Sequence, residues 1–274
     1  NLVDAYFLGV YVGAAALTAV TMMFPLQMLI IAMSNMISNG FASIVARRFG
    51  ANDLHGAAQS FAVANILGIG MAALLMVFFV FGGERLVAWV TEGNDELARM
   101  AWTYMSILMF TSPLLFVLSV QFDALRSEGK MGVMALMSIS VTLFNMFFNY
   151  IFIGLCDWGV AGSAWGTVAA QLLALALLMG FRLRGGSKLG FSLPPRSIFV
   201  DLTKENFALG APLSLNFLSI SLVAGMVVAM LKSVDTANYE ELVGAYGIIT
   251  RLMTFSFMPL LGVSMAFQSI VGNN

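Results

Sequence analysis

The chain of 274 residues is 60% hydrophobic and only 10% charged, with a mean hydropathy of +0.91. Soluble globular proteins carry roughly 45–50% apolar and about 25% charged residues, so this composition predicts an integral membrane protein in contact with a lipid bilayer. The net charge of −1 gives no indication of a nucleic-acid partner. A single cysteine, Cys156, and a single histidine, His55, exclude a disulfide framework and a multi-histidine metal site.

Long apolar runs, separated by charged, Gly, Pro and Asn residues, predict eight membrane-spanning helices. The first run starts at the beginning of the chain and is shorter than a full span, so we expect the chain to be a piece of a longer one. The predicted spans are 1–10, 17–46, 59–82, 100–122, 132–155, 160–181, 206–231 and 243–271.

The distribution of cations among the loops predicts the orientation. The loops after spans two, four and six carry Arg47, Arg48, Arg126, Lys130, Arg182, Arg184, Lys188, Arg196 and Lys204, whereas the odd-numbered loops carry Arg85, Arg99 and Lys232. Because Lys and Arg collect in cytoplasmic loops, we expect the loops after spans two, four and six to face the cytoplasm. The predicted location is the plasma (cytoplasmic) membrane, which in a bacterium is the inner membrane, with several passes.

A short internal match suggests how the spans are grouped. Residues 41–45 (FASIV) recur as 267–271 (FQSIV), an offset of 226 that chance between two apolar segments would also explain. A real repeat would make span seven the start of a second six-helix unit, and transporters are commonly built from such halves. The predicted domains are an N-terminal lobe at 1–190, a cytoplasmic linker at 191–205 and the start of a C-terminal lobe at 206–274.

Polar side chains inside the spans are the candidates for function, because burying them in a bilayer is costly. Asp4 is the one acidic residue that this pattern places inside a span, where it suits a carrier of H⁺ or Na⁺, unless it reaches water at a helix end. Asn145 and Asn149 are four residues apart and share one face of span five, either as cation ligands or as interhelical packing contacts. Thr167 adds a hydroxyl in span six, unless that hydroxyl bonds its own helix.

A second group of polar residues consists of candidates for a substrate cavity. Gln27, Asn35 and Asn39 repeat along span two, roughly on one face, and Arg251 lies inside span eight, where a charge needs a partner or a watery cavity. Twenty Met and 23 Phe suit an adaptable pocket for hydrophobic ligands, although lipid-facing positions explain them more simply. The chain contains no HExxH, GxSxG or Walker motif, so we do not expect an enzyme.

A series of different short motifs is distributed along essentially the whole chain. They are 1–4 (NLVD), 7–9 (FLG), 14–20 (AAALTAV), 24–26 (FPL), 45–51 (VARRFGA), 125–129 (LRSEG), 159–164 (GVAGSA), 210–212 (GAP), 244–247 (GAYG) and 272–274 (GNN). None is specific alone, but their order and spacing together resemble the multidrug and toxic compound extrusion (MATE) transporters.

The resemblance implies a twelve-helix transporter of two six-helix lobes, which exports drugs, organic cations or metabolites against an inward flow of H⁺ or Na⁺. It also implies a coupling-cation site in the N-terminal lobe at Asp4, Asn145, Asn149 and Thr167, with Na⁺ possible at Asp4, Asn145 and Thr167. Asn149 departs from the Asp found in one branch, which removes a negative charge and argues against tight Na⁺ binding. Span seven has no acid at 216–221, where another branch carries a functional Glu, so coupling rests on Asp4.

A flippase for a lipid-linked glycan, of related architecture, is the alternative function. Such a protein needs several cations in its central cavity to hold pyrophosphate, whereas the apolar cores of the first six spans contain no Lys or Arg. The exporter is therefore favoured, with small hydrophobic or cationic substrates, no cofactor beyond the coupling ion, and a monomeric state.

Overall fold

A computed structural model describes the backbone of residues 2–234 and 238–273, and the side chains of these residues except 2, 213, 216, 217, 234 and 258–273. Within these ranges every regular element is a helix. The α-helices are α1 (Leu2–Phe7), α2 (Ala14–Met22), α3 (Phe24–Gly50), α4 (Leu54–Val90), α5 (Asp95–Phe110), α6 (Ser112–Ser127), α7 (Met131–Asn149), α8 (Gly159–Phe181), α9 (Arg196–Val234) and α10 (Tyr239–Asn273).

Each predicted span corresponds to one helix or to a broken pair of helices, so the all-helical prediction is confirmed. The second span consists of α2 and α3, which break at Met23 ahead of Pro25. The fourth span consists of α5 and α6, which are bent by 49° ahead of Pro113, where the sequence predicted one continuous segment. Proline is tolerated in the first turn of a helix but not in its middle, which explains both breaks.

Two of the three π-helical turns in the described part of the chain contact each other beside the predicted site, and the third, Arg182–Gly186, follows α8. Leu8–Val12 follows α1, and Tyr150–Leu155 follows α7 directly after Asn149. Such turns are rare in proteins, and those that occur are often found at functional sites. Both lie within about two turns of a residue that the sequence singled out.

Four helical stretches are long and apolar enough to cross a membrane, and the bent α5–α6 pair makes a fifth. This holds for the described residues only, since α9 and α10 include side chains outside them. The four stretches are Phe24–Gly50, Leu54–Val90, Met131–Leu155 and Gly159–Gly186. The chain is a multi-pass membrane protein.

The centre of the bundle is α3, which packs against α4, α6 and α9. Phe41 of α3, Phe61 of α4 and Phe116 of α6 are buried in the main apolar core. A second, smaller core forms where Leu8 and Ile153, from two of the π-helical turns, pack against α2, α5 and α8. The two cores leave polar side chains in two places, between α1, α7 and α8 and between α3 and α6.

The last two helices lie against the first half of the chain. Helix α9 runs antiparallel to α3, since the Asn206 amide donates to the Ile37 carbonyl at 3.2 Å and the Ser221 hydroxyl donates to the Pro25 carbonyl at 2.8 Å. Helix α10 packs on α2. The predicted lobes would meet along these contacts, and the division into lobes stays a prediction. The second copy of the suggested repeat, 267–271, has its side chains outside the described residues.

The predicted linker is partly helical. Helix α9 begins at Arg196, after Pro195, so the non-helical stretch is 187–195. Glu128 ties this stretch to the first half of the chain, because its carboxylate accepts hydrogen bonds from the Ser187 hydroxyl and from Lys130. Burial raises the pKa of Glu128, but the bonds from Lys130 and Ser187 together outweigh burial and hold the pKa below its ordinary value.

The even-numbered loops gather at one end of the bundle. There Arg47 pairs with Glu205, and the Arg182 guanidinium lies 4.6 Å from the centre of the Phe61 ring. At the opposite end the Tyr239 hydroxyl donates to the Val90 carbonyl at 3.0 Å. The structure thus groups the loops as the charge pattern predicts, while the assignment of the cation-rich end to the cytoplasm stays a prediction.

Candidate functional site

Four side chains from three helices meet in one polar cluster. The Asn149 amide nitrogen donates to an Asp4 carboxylate oxygen and lies 3.5 Å from the Asn145 side-chain oxygen. The Asn145 amide nitrogen donates to the Thr167 hydroxyl at 3.1 Å. The structure thus brings together the four residues that the sequence singled out, Asp4, Asn145, Asn149 and Thr167, and we call them the amide cluster. Their role in binding a cation stays a prediction.

The same contacts also fit, in part, the alternative interpretations of Thr167 as bonded to its own helix and of the two Asn residues as packing contacts. The Thr167 hydroxyl donates to its own helix at the Ser163 carbonyl, 3.2 Å away, and also accepts from Asn145. The two Asn side chains do join α7 to α1 and α8, as packing contacts would. Asn149 is fully buried, yet its side-chain oxygen makes no hydrogen bond to any described residue. Buried polar atoms are usually hydrogen-bonded, so packing alone does not explain this acceptor beside a carboxylate.

Gly166 of α8 makes room for the amide cluster. A Cβ atom at this position would lie 2.2 Å from the Asn149 side-chain oxygen, well inside van der Waals contact. Gly162, one turn earlier, lies against the Phe152 backbone, where a Cβ atom would be 3.0 Å away. The small-residue spacing in α8 thus allows the close approach of α7, as such spacings do in membrane helices.

A second polar group surrounds the hydroxyl of Tyr104, a buried residue of α5. Gln27 faces this hydroxyl, and electrostatic interactions link Tyr104 with Asp4 and Arg251. Two of the predicted cavity residues, Gln27 and Arg251, thus belong to a polar group around Tyr104 that interacts electrostatically with Asp4. The sequence offered no signal for Tyr104 beyond its hydroxyl inside an apolar span.

Asn35 and Asn39 do not join this group. Successive residues of a helix are rotated by about 100°, so both lie on a face of α3 that is turned by roughly 80–120° from Gln27. The prediction that all three residues share one face is therefore wrong for Gln27. Both side chains are half-buried. Gln27 instead lines up with Ser34 and Ser38.

Asp123 is a further acidic residue within the helices. The predicted span four ended one residue before it, but α6 continues to Ser127 and leaves the Asp123 side chain only 13% exposed. Arg126, one turn later, pairs with it at 2.8 Å. Asp4 is thus not the only partly buried acid among the helices.

A known family and several curated proteins match the sequence of this chain. A family model described as MatE matches residues 1–151. The multidrug export protein MepA of Staphylococcus saprophyticus subsp. saprophyticus is 21% identical over the whole chain, and the match covers 60% of that protein. The chain thus spans about 60% of the length of such relatives.

Solved structures share the fold over the whole chain. An inward-facing multidrug resistance MATE family transporter of the MOP superfamily is 25% identical, with a TM-score of 0.86 over 100% of this chain and 61% of that one. The MATE multidrug transporter DinF-BH, solved in complex with the dye rhodamine 6G, is 27% identical, with a TM-score of 0.86 over 100% of this chain and 60% of that one. Since the family model covers more than half of the chain and the helices superpose on these transporters, the chain belongs to the MatE family.

Proposed function

We propose that this chain is part of a secondary multidrug exporter in which proton binding at Asp4 drives the export of hydrophobic or cationic compounds. The family supports drug export, since its relatives include multidrug export proteins and a structure with a bound rhodamine dye. The amide cluster carries the coupling step, because it surrounds a carboxylate inside the bundle with groups that hydrogen-bond to it.

The Asn149 carboxamide supports H⁺ rather than Na⁺ as the coupling ion. In the structure its N–H donates to the Asp4 carboxylate, while its oxygen makes no hydrogen bond to any described residue. Rotation of the amide by half a turn would present that oxygen to a protonated Asp4, whose O–H would then donate. One side chain can therefore satisfy both charge states of Asp4. An N–H aimed at the carboxylate does not suit a site prepared for a metal cation.

Arg251 couples the charge of Asp4 electrostatically to the second half of the protein. It belongs to α10, interacts electrostatically with Asp4 and Tyr104, and has one buried guanidinium nitrogen without a hydrogen bond to any described residue. Neutralising Asp4 weakens the attraction between α1 and α10. The proton would thereby bias which side of the membrane the cavity faces, as a ligand biases a two-state equilibrium.

The flippase alternative finds less support. A pyrophosphate group needs several cationic side chains around it, but among the described residues of the predicted spans Arg251 is the only Lys or Arg. That cation interacts electrostatically with the carboxylate of Asp4. A positive cavity for a glycan diphosphate would require residues beyond this chain.

The test is export of the rhodamine dye by the full-length protein in liposomes that contain a pH indicator. We expect an imposed proton gradient to drive dye export with a matching change in internal pH, and a sodium gradient at equal pH to drive none. Export that follows sodium and ignores pH would contradict proton coupling. Export under neither gradient would contradict the proposed function itself.

A substitution at Gly166 probes the geometry of the amide cluster. The methyl group of Gly166→Ala would push on the Asn149 oxygen, and such overpacking costs about 1–3 kcal/mol. We expect proton-driven export to fall roughly tenfold, since about 1.4 kcal/mol corresponds to a factor of ten. Gly180→Ala is the matched control, because a Cβ atom there, also in α8, meets nothing within 4 Å. Equal export by the two variants would mean that Asn149 does not need its present position.

A further inference from the structure

Two helices carry the same spacing of polar residues at the same depth. On α3 and on α6, three polar side chains follow one another at intervals of seven and four residues, and each residue on α6 lies 85 positions after its counterpart on α3. We call these six residues the polar ladder. Its three rungs are Gln27 with Ser112, Ser34 with Ser119, and Ser38 with Asp123.

A direct contact joins the second rung, where the Ser34 hydroxyl donates to the Ser119 hydroxyl at 2.9 Å. In the third rung the Ser38 side chain faces the Asp123 carboxylate. Ser34 and Ser38 are each 2% exposed, so these contacts lie inside the protein and away from lipid. The constant offset means that α3 and α6 run in the same direction and that the rungs follow one another along the bundle.

The first rung connects the polar ladder to the amide cluster. Gln27 faces the hydroxyl of Tyr104, and Tyr104 interacts electrostatically with Asp4. The Gln27 amide nitrogen and the Ser112 hydroxyl are both buried and bond no described residue. Buried polar atoms of this kind are ordinarily satisfied by water. These two atoms lie at one end of a gap of about 10 Å to the second rung, and a proton path requires a short water chain to cross that gap.

The last rung ends at a buried acid near the cation-rich end of the bundle. Asp123 faces Ser38 of α3 and pairs with Arg126 of its own helix, the only charged partner that the described residues provide. The Arg126 side chain is 35% exposed and so connects Asp123 to bulk water. From Gln27 to Ser38 the polar ladder covers about 16 Å, roughly half of a bilayer core.

We propose that the polar ladder conducts the coupling proton from Asp4 to the cytoplasmic end, with Asp123 as the terminal proton acceptor. This inference rests on the proposed function. Protonated Asp4 gives its proton to a hydrogen-bonded water or hydroxyl, and each carrier accepts one proton on oxygen while releasing its own. The Asp123 carboxylate takes the last proton, loses its charge attraction to Arg126, and then passes the proton to cytoplasmic water. Atoms and charge balance at every step.

Interhelical packing alone does not explain all the residues of the polar ladder. Serine hydroxyls commonly join membrane helices, so the second rung would serve packing well. A buried carboxylate, however, costs more than a serine would in the same contact. Gln27 and Ser112 also occupy matching positions of the repeated spacing, and the Gln27 amide nitrogen and the Ser112 hydroxyl bond no described residue. Both features are expected of a proton path.

Two transport assays on the full-length protein in liposomes separate a proton path from a packing contact. One measures export of the rhodamine dye driven by a proton gradient. The other measures counterflow of the same dye at equal pH, in which dye exchanges for dye and no proton is released. We expect Asp123→Asn to slow proton-driven export roughly a hundredfold, the lower end of the effect of a positioned proton acceptor, and to leave counterflow unchanged.

Control variants complete the test. Asp123→Glu should restore most of the proton-driven rate. Ser119→Ala should slow it, whereas Ser60→Ala, which removes a buried hydroxyl that bonds only its own helix in α4, should not. Wild-type export by Asp123→Asn, or an equal loss of both assays, would overturn the proton path. If wild-type protein shows counterflow but no proton-driven export, or if Asp4→Asn still couples to protons, the proposed function fails instead.

Discussion

Replacing Asp4 with Asn is expected to abolish gradient-driven export while the protein remains folded and inserted in the membrane. Asn has nearly the same shape as Asp, and its amide can exchange hydrogen bonds with Asn149, so the contact between α1 and α7 survives. The variant cannot gain or lose a proton near physiological pH. The step that converts a proton gradient into a change of charge is therefore removed.

The loss should be specific to coupling. We expect binding of the rhodamine dye in detergent and its counterflow at equal pH to persist, because neither requires a change in the charge of Asp4. The matched control is Asp201→Asn, the same substitution at an exposed carboxylate near the start of α9. If Asp4→Asn exported dye at the wild-type rate under a proton gradient, a residue outside this chain would have to carry the coupling.

The number and order of the helices follow from the sequence because the bilayer sets the length of each apolar run. The bend between α5 and α6 does not, since the apolar run continues through Thr111 and Pro113 is also compatible with the first turn of a new helix. The ends of α4 were also predicted too short. Charged residues near its end, such as Glu84, mark the limit of an apolar run and not the limit of a helix.

In the site, too, spacing within one helix could be predicted from the sequence, whereas contacts between distant segments could not. The shared face of Asn145 and Asn149 follows from their spacing in one helix. Their meeting with Asp4, which lies 145 positions from Asn149, followed only from family resemblance. The polar ladder was not predicted at all, since each serine is ordinary in a membrane helix and only the packing of α3 on α6 pairs them.

The second large effect is expected at Gly210 of α9, where the second half of the chain touches α3. A Cβ atom at Gly210 would lie 1.8 Å from the backbone carbonyl oxygen of Met36. A backbone atom cannot rotate away as a side chain can, so Gly210→Ala forces α9 to move off α3. We expect this contact to open and close as the cavity between the lobes changes sides, because such transporters rock one half against the other.

Gly210→Ala should therefore shift the protein away from the state in which α3 and α9 touch. Overpacking of about 1–3 kcal/mol corresponds to a shift of roughly ten- to a hundredfold in the ratio of the two states. Cysteines in place of Arg47 and Glu205, which pair across α3 and α9, report the contact by their rate of cross-linking in a background with Cys156→Ser. Gly225→Ala is the control on the same helix, since its Cβ atom would meet Pro25 at an ordinary 3.8 Å. Slower cross-linking in Gly210→Ala alone, together with slower export, would tie the α3–α9 contact to the transport cycle, and equal rates in both variants would show that the helices stay together throughout it.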